Sequence, residues 1–307
     1  MSSLGNKAEI VVGGSPELQD LNLAQRAKAY LDLGKPNLSG LVVITGITGF
    51  YVATPEIASW LFFHFVSGLF LTALGACALN MVIEREIDKQ MERTRNRPIP
   101  SGRVSVRGAT IFSWLTFVLG FLQLAIFVNR TTAILALITL ITYAYAYTPM
   151  KRLGPLSTWI GAIPGAIPPL MGWTAVRDNF EAPGIILFGI LFFWQLPHFL
   201  ALAWMYREDY ERVGYKMLPG DGKSIKIAGL EMTVCCMALI KVSVLLTMYG
   251  SAQRLYFYTA IFLGGFFLVF ALRVIQKQTI KSARQLFLVS IIYLPLLLAA
   301  IVVDRLV

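Results

Sequence analysis

Residues 57–79 read IASWLFFHFVSGLFLTALGACAL, and residues 80–98 continue without a break as NMVIEREIDKQMERTRNRP. The first segment contains no Asp, Glu, Lys or Arg and is long enough to cross a bilayer as a helix. In the second segment, Asn80, Glu84 and Asp88 are spaced i, i+4, i+8. If the helix continues through them, the three side chains stack on one face at its end.

This charged segment combines oxygen ligands with cations. Mg²⁺ prefers hard oxygen ligands and usually keeps waters and substrate phosphates in its coordination shell. Arg93, Arg95 and Arg97 follow the acids, and arginine forms charge-assisted hydrogen bonds to phosphate. The segment therefore favours a Mg²⁺-diphosphate ligand at a membrane surface, with the apolar tail of that ligand in lipid.

Composition predicts an all-α polytopic membrane protein. Apolar residues make up 56% of the 307 residues, charged residues only 14%, and the mean hydropathy is +0.65. Such a chain is too apolar for a soluble protein of this length. Nine blocks are long enough to span the bilayer: Gly40–Ala53, Ile57–Ile83, Thr110–Val128, Thr132–Thr148, Pro155–Val176, Ala182–Tyr206, Ala228–Tyr249, Arg254–Ile275 and Leu286–Val303.

The distribution of basic residues predicts the orientation. Most of the 27 Lys and Arg residues lie in the N-terminal tail or follow spans 2, 4, 6 and 8. By the positive-inside rule the N-terminus is cytoplasmic and the C-terminus lies outside. The formal charge of +10 is therefore read mainly as a topology signal, and nucleic acid is not an expected partner.

Two regions follow from this topology. Residues 1–39 form a cytoplasmic tail in which Leu18 to Leu33 is expected to form an interfacial helix, and residues 40–307 form the nine-helix domain. Loops 84–107 and 207–226 face the cytoplasm and carry mixed acids and bases at the ends of apolar helices. The active site is expected between these loops. In span 5, Gly161, Gly165 and three prolines predict close helix packing with a kink.

The ladder and its Arg-Pro tail, together with Tyr147-x3-Lys151, resemble the first aspartate-rich motif and neighbouring element of the UbiA superfamily of intramembrane prenyltransferases. The residues 84–103 and the block Trp194-Gln195-x-Pro197-His198-Phe199 resemble its haem-farnesylating branch. The resemblance implies a nine-helix bundle that transfers the farnesyl group of farnesyl diphosphate to a vinyl group of protohaem IX and adds water, giving haem O.

The resemblance also implies roles for particular residues. Mg²⁺ is the expected cofactor. Its expected ligands are Asn80, Glu84, Asp88 and Asp209, and the diphosphate is expected to bind Arg93, Arg97, Lys151 and Arg207. Tyr147, Lys151 and His198 complete the expected catalytic set, and the expected haem contacts are Trp194 and His198. Glu84 stands where aspartate is usual, and the second motif offers His198, Glu208 and Asp209 in place of an Asp-x3-Asp ladder.

Residue chemistry is compatible with such a reaction. Cations that face the leaving diphosphate stabilise its developing charge, and the rings of Tyr143 or Tyr147 could stabilise an allylic cation. His198 lies eleven residues before Asp209 on span 6, so we expect it deeper in the membrane as a haem ligand or a proton acceptor.

Two alternatives remain at this stage. One is a UbiA-type prenyltransferase that acts on an aromatic quinone precursor. Only the acceptor pocket would distinguish such an enzyme from the haem branch. The other is a secondary transporter, for which ionisable residues near the bilayer midplane are typical. The expected location is the plasma membrane of a bacterium. The expected partners are the lipid bilayer and a downstream haem A synthase or terminal oxidase assembly.

Overall fold

A computed structural model of the protein describes residues 22–54, 59–220 and 224–306. Within them the chain is helical and contains no β-strand. The helices are α1 (Leu23–Leu33), α2 (Pro36–Ala53), α3 (Trp60–Asp88), α4 (Val106–Phe127), α5 (Arg130–Met150), α6 (Leu156–Arg177), α7 (Ala182–Met205), α8 (Arg207–Arg212), α9 (Ile225–Met248), α10 (Arg254–Lys277) and α11 (Ile280–Asp304).

Each of the nine predicted spans corresponds to a long helix. Among the described residues, eight helices are long and apolar enough to cross a membrane. The ninth, α6, has 22 residues, but Pro164, Pro168 and Pro169 and several glycines make it less apolar. The prediction of an all-α membrane bundle is therefore confirmed. Large apolar side chains such as Ile111, Leu119 and Ile126 point away from the protein, as expected for helices in contact with lipid.

The first span begins earlier than Gly40. Helix α2 starts at Pro36, whose fixed φ and missing N–H suit the first helical position. Lys35 precedes it in the left-handed region at φ 48°, so the chain turns sharply between α1 and α2. Helix α1 begins after the capping residue Asn22, and residues 18–21 of the predicted interfacial helix lie outside the described residues. Its Ala29 and Leu33 are buried against α3 and α4.

Helices α2 and α6 approach each other closely because both present glycine. A Cβ at Gly49 would collide with the carbonyl oxygen of Pro169, and a Cβ at Gly172 would collide with that of Gly46. This contact brings α6 against α2, while α3 packs on α4 and α7 packs on α6. Helices α9, α10 and α11 form a further apolar core with α7. A cavity remains between α2, α3, α5, α6 and α7.

Candidate active site

Helix α3 carries the predicted ladder as one continuous helix. It runs to Asp88, so Asn80, Glu84 and Asp88 lie on one face over its last turns. All three side chains are buried, with 1%, 4% and 3% of the residue exposed. Buried polar and charged groups require partners. Each of the three has partners from a different part of the chain.

Glu84 forms a buried ion pair with Lys151. The Lys151 ammonium donates to Glu84 Oε1 at 2.5 Å, and the Tyr215 hydroxyl donates to the same oxygen at 3.0 Å. Burial opposes the charged form of Lys151, but Tyr147 and Glu84 outweigh that effect and raise the pKa of Lys151. Burial and the Glu84 carboxylate also raise the pKa of Tyr215, so its phenol keeps the proton that it donates. The backbone N–H of Lys216 donates to the Lys151 carbonyl at 2.8 Å and ties the two loops together.

Asp88 is paired with an arginine of the following loop. The Arg97 guanidinium donates to both carboxylate oxygens of Asp88 at 2.8 Å. The Thr94 hydroxyl donates to the Asp88 carbonyl at 3.0 Å and folds the loop back over the end of α3. Asp88 therefore lies behind Arg97, and Arg97 faces the cavity.

Asn80 connects three helices. Its Oδ1 accepts from the Lys35 ammonium at 3.0 Å and from the Tyr143 hydroxyl at 3.2 Å, and its Nδ2 donates to Thr148 Oγ1 at 2.9 Å. Burial lowers the pKa of Lys35. These contacts place a second cation beside the ladder, at the start of the first membrane helix.

The middle of α5 is a π-helix, residues Ile141–Tyr147. Pro149 has no N–H and cannot donate to the Tyr145 carbonyl, which disfavours a regular α-helical turn here. The wider turn places Tyr143 and Tyr147 on one face, with stacked rings whose centroids are 6.0 Å apart. The Lys151 ammonium lies 4.5 Å from the Tyr147 ring centroid, within the range of a cation-π contact. Wide helical turns of this kind are frequent at functional sites.

The cavity has a polar end and an apolar end. Its volume, with the space at its opening included, is about 1420 Å³. Glu84, Lys151 and Tyr215 lie at the polar end, and Leu69 and Met171 lie at the apolar end. Along α3, Glu84 and Leu69 are separated by fifteen residues, about 22 Å of helix. The cavity therefore suits a ligand with a charged head and a long apolar tail.

The structure brings part of the predicted site together. Among the described residues, the predicted site residues that line the cavity are Asn80, Glu84, Arg93, Arg97, Tyr147 and Lys151. The guanidinium of Arg93 lies 5.3 Å from the Tyr206 ring centroid. Gly161 and Gly165, for which the sequence predicted close helix packing, also line the cavity. A Cβ at Gly161 would lie 2.5 Å from the Tyr147 ring.

The second loop lies differently from the expectation. Arg207 donates to Glu208 at 3.1 Å and packs on the Trp204 ring, and it borders a second pocket. Asp209 forms an ion pair with Arg212 at 3.2 Å. Their roles as diphosphate and Mg²⁺ ligands remain predictions.

Trp194 and His198 lie on the face of α7 that packs against α11. The Trp194 indole N–H donates to the Ser290 carbonyl at 2.9 Å, and His198 Nδ1 lies 2.7 Å from Ser290 Oγ. The His198 ring stacks on Phe287 with centroids 4.6 Å apart. The cavity is instead lined by Gln195, Phe199 and Leu202 of α7. The structure thus does not bring the two predicted haem contacts to the cavity.

Sequence reasoning missed three residues of this site. Lys35, Gln195 and Tyr215 line the cavity without having been predicted as site residues. For Lys35 no signal was available, because a basic residue at the cytoplasmic start of an apolar span is ordinary. Gln195 belongs to the motif from Trp194 to Phe199. Residue spacing alone does not show whether the face of α7 with Gln195 or the face with His198 borders the cavity, because that depends on the helices that pack against α7.

The donor set fits Mg²⁺ only together with a substrate. Within the described residues, no group of three or more His, Cys, Asp and Glu side chains is arranged to hold a metal ion. Glu84, Asp88 and Asn80 offer hard oxygens on one helix face. Mg²⁺ commonly binds through one or two carboxylates plus substrate phosphates and waters. The residues therefore fit a Mg²⁺ ion that arrives with a diphosphate.

The fold and site define an integral membrane protein with a cation-rich site at one end of an apolar cavity. The chain belongs to the UbiA prenyltransferase family, whose family model matches residues 42–294. It is therefore a prenyltransferase, and family membership decides against secondary transport.

Individual relatives agree with this assignment. The chain is 38% identical over 286 residues to the protohaem IX farnesyltransferase of Solibacter usitatus. The aligned region covers 90% of this chain and 98% of the relative. Its fold is similar to a solved digeranylgeranylglyceryl phosphate synthase, with a TM-score of 0.78, 20% identity and coverage of 91% and 98%. A UbiA homologue from Archaeoglobus fulgidus, solved with GPP and Mg²⁺, has a TM-score of 0.61, 16% identity and coverage of 89% and 99%.

Proposed function

We propose that this protein transfers the farnesyl group of farnesyl diphosphate to a vinyl group of protohaem IX to make haem O. The observation that carries the chemistry is the set of Glu84, Lys151 and Arg97 at the polar end of an otherwise apolar cavity. The identity of donor and acceptor is supported by similarity over nearly the whole length of enzymes named for this reaction.

The cations at the polar end would bind and activate the diphosphate. Lys151, Arg93 and Arg97 line the cavity, and the raised pKa of Lys151 keeps it cationic at neutral pH. When the bond from farnesyl C1 to oxygen breaks, negative charge grows on the departing diphosphate, and fixed cations stabilise it. Lys35, which donates to Asn80 Oδ1, adds a further amino group to the lining of the cavity.

The walls of the cavity would protect the resulting allylic cation. Tyr143 and Tyr147 present stacked rings beside the polar end, where their π-faces can stabilise positive charge. Ala73, Ala76 and Leu69 continue the wall along α3 and leave room for an apolar chain. Exclusion of bulk water from this region prevents premature hydrolysis of the cation.

Mg²⁺ would be held by Glu84 and Asp88, with Asn80 beside them. Bound with the diphosphate, Mg²⁺ neutralises charge on the leaving group. Glu84 would then exchange part of its contact with Lys151, and Asp88 part of its contact with Arg97. Asp209 pairs with Arg212 through Oδ1 and would offer its second carboxylate oxygen to the ion. Chelation by EDTA should abolish turnover, and added Mg²⁺ should restore it.

The haem role of Trp194 and His198 stays a prediction. The contact with Ser290 occupies His198 Nδ1 and leaves Nε2 for haem iron, but ligation would require the macrocycle to reach the face of α7 that packs against α11. The cavity wall formed by Phe199 and Leu202 of α7 offers an apolar surface for the macrocycle.

The membrane context is also part of the proposal. The distribution of basic residues supports a cytoplasmic location for the N-terminus, both charged loops and the polar end of the cavity, and we propose a bacterial plasma membrane as the site of the protein. The product would pass to a haem A synthase or a terminal oxidase assembly.

Purified protein in detergent tests the proposed reaction. Farnesyl diphosphate, Mg²⁺ and either protohaem IX or an aromatic quinone precursor are supplied, and adducts are identified by mass spectrometry. We expect an adduct with protohaem alone. An adduct with the quinone precursor and none with protohaem would reject the haem assignment but keep the prenyltransferase class.

A further inference from the structure

We infer that Gln195 holds the water molecule that completes the reaction on the haem vinyl group. The inference rests on the proposed function and adds a residue to it. Gln195 is buried, with 5% of the residue exposed, and lines the cavity on α7. Its neighbours along that face, Phe199 and Leu202, are apolar. A single neutral amide in an apolar wall needs a polar partner.

The orientation of this amide is fixed by its nitrogen. Gln195 Nε2 donates to the carbonyls of Leu191 at 3.0 Å and Ala162 at 3.3 Å. Because carbonyls only accept hydrogen bonds, the amide nitrogen must face them and Oε1 must point elsewhere. Oε1 accepts a hydrogen bond from none of the described residues.

Helix α6 makes room for this oxygen. A Cβ at Gly165 would collide with Gln195 Oε1, so only glycine permits the amide to occupy its position. Pro168 and Pro169 have no N–H, so the carbonyls of Pro164 and Gly165 have no donor four residues later. Pro164 and Gly165 both line the cavity. The wall around Gln195 therefore offers several acceptors and suits a ligand with two donors, such as water.

The farnesyl C1–O bond breaks with its electron pair on the diphosphate, and the terminal vinyl carbon of haem forms a bond to C1. The positive charge then lies on the vinyl carbon attached to the porphyrin. The oxygen of the held water forms a bond to that carbon, and its proton passes to the departing diphosphate. Without the water, the cation instead loses a proton from the adjacent carbon and an alkene results.

Product analysis tests this role. Gln195→Met keeps the size of the side chain but removes the acceptor oxygen, and Gly165→Ala displaces that oxygen while Gln195 remains. We expect both variants to consume farnesyl diphosphate but to raise the ratio of dehydrated to hydroxylated adduct by about tenfold, the effect of one lost hydrogen bond. In water enriched in the heavy oxygen isotope, the wild-type hydroxyl should carry the label.

A matched control is available on α4. Gln123 donates to Ser67 Oγ at 2.6 Å and contacts His64 at 3.1 Å, and Gln123→Met should leave the product ratio unchanged. A wild-type product ratio from Gln195→Met, at any rate of turnover, would overturn the inference. If Gln195→Met forms no adduct, Gln195→Glu decides, because hydroxylated adduct from it supports the role and its absence rejects it. Failure of the wild type to farnesylate haem would overturn the proposed function itself.

Discussion

Removal of both partners of the Glu84–Lys151 pair should restore stability that removal of either one alone costs, without restoring activity. The variants are Glu84→Gln, Lys151→Met and the double variant. The pair is buried, with 6% and 12% of the two side chains exposed, and the two atoms lie 2.5 Å apart. Each single variant leaves one charge without its partner, whereas the double variant leaves none.

The expected magnitudes follow from burial. Removal of one partner from a buried ion pair costs about 3–5 kcal/mol, and we expect about 3 kcal/mol because the pair borders a cavity. In the double variant the Tyr215 hydroxyl can still donate to the amide oxygen at position 84. The double variant should therefore recover at least about 2 kcal/mol relative to the sum of the single variants. Turnover should fall by ~10² or more in all three, since each lacks an electrostatic contact to the diphosphate or its metal.

Unfolding in detergent and turnover of farnesyl diphosphate are measured on the same preparations. Recovery of stability without recovery of turnover is the expected result. Additive losses of stability would show that the two charges do not interact as described. Recovery of both quantities in the double variant would show that the pair serves the fold alone.

Three further predictions concern the cavity and α7. Arg97→Gln should weaken farnesyl diphosphate binding by about 10-fold to 100-fold and haem binding much less, because a charge-assisted hydrogen bond is lost; equal losses in calorimetric titrations would indicate a structural role. Gly161→Ala should reduce turnover because its Cβ displaces the Tyr147 ring, and unchanged kcat/KM would contradict the described contact. His198→Ala should lower stability by about 1–3 kcal/mol; a shifted Soret band of bound haem would support the predicted iron ligation, and an unchanged band would reject it.

The sequence predicts the helices and the ladder well because both depend on local spacing. A long uncharged run predicts a spanning helix, and residues four apart share a face whenever that helix continues. Asn80 and Glu84 accordingly lie together at the polar end of the cavity. The start of α2 at Pro36 could also be read locally, from the preference of proline for the first turn.

The partners of these residues could not be derived in the same way. Lys151 reaches Glu84 across 67 positions, and Tyr215 reaches it across 131. Such contacts depend on how α3, α5 and the loop after α8 pack, which no local pattern encodes. The pairing of Asp209 with Arg212, by contrast, is three positions apart on a helix and was open to prediction.

The face of α7 shows the same limit. Successive residues of a helix point about 100° apart, so the motif from Trp194 to Phe199 covers all sides of α7. Trp194 and His198 pack against α11, whereas Gln195 and Phe199 line the cavity. An all-round apolar helix gives no periodic signal for this choice.

The mass of haem extracted from membranes tests the central claim most directly. The protein is produced in cells with a haem source, beside the Glu84→Gln variant at matched membrane levels. We predict that the wild type yields haem heavier by one farnesyl group plus one water, and that the variant yields unmodified haem. Unmodified haem from cells that contain folded wild-type protein would contradict the account.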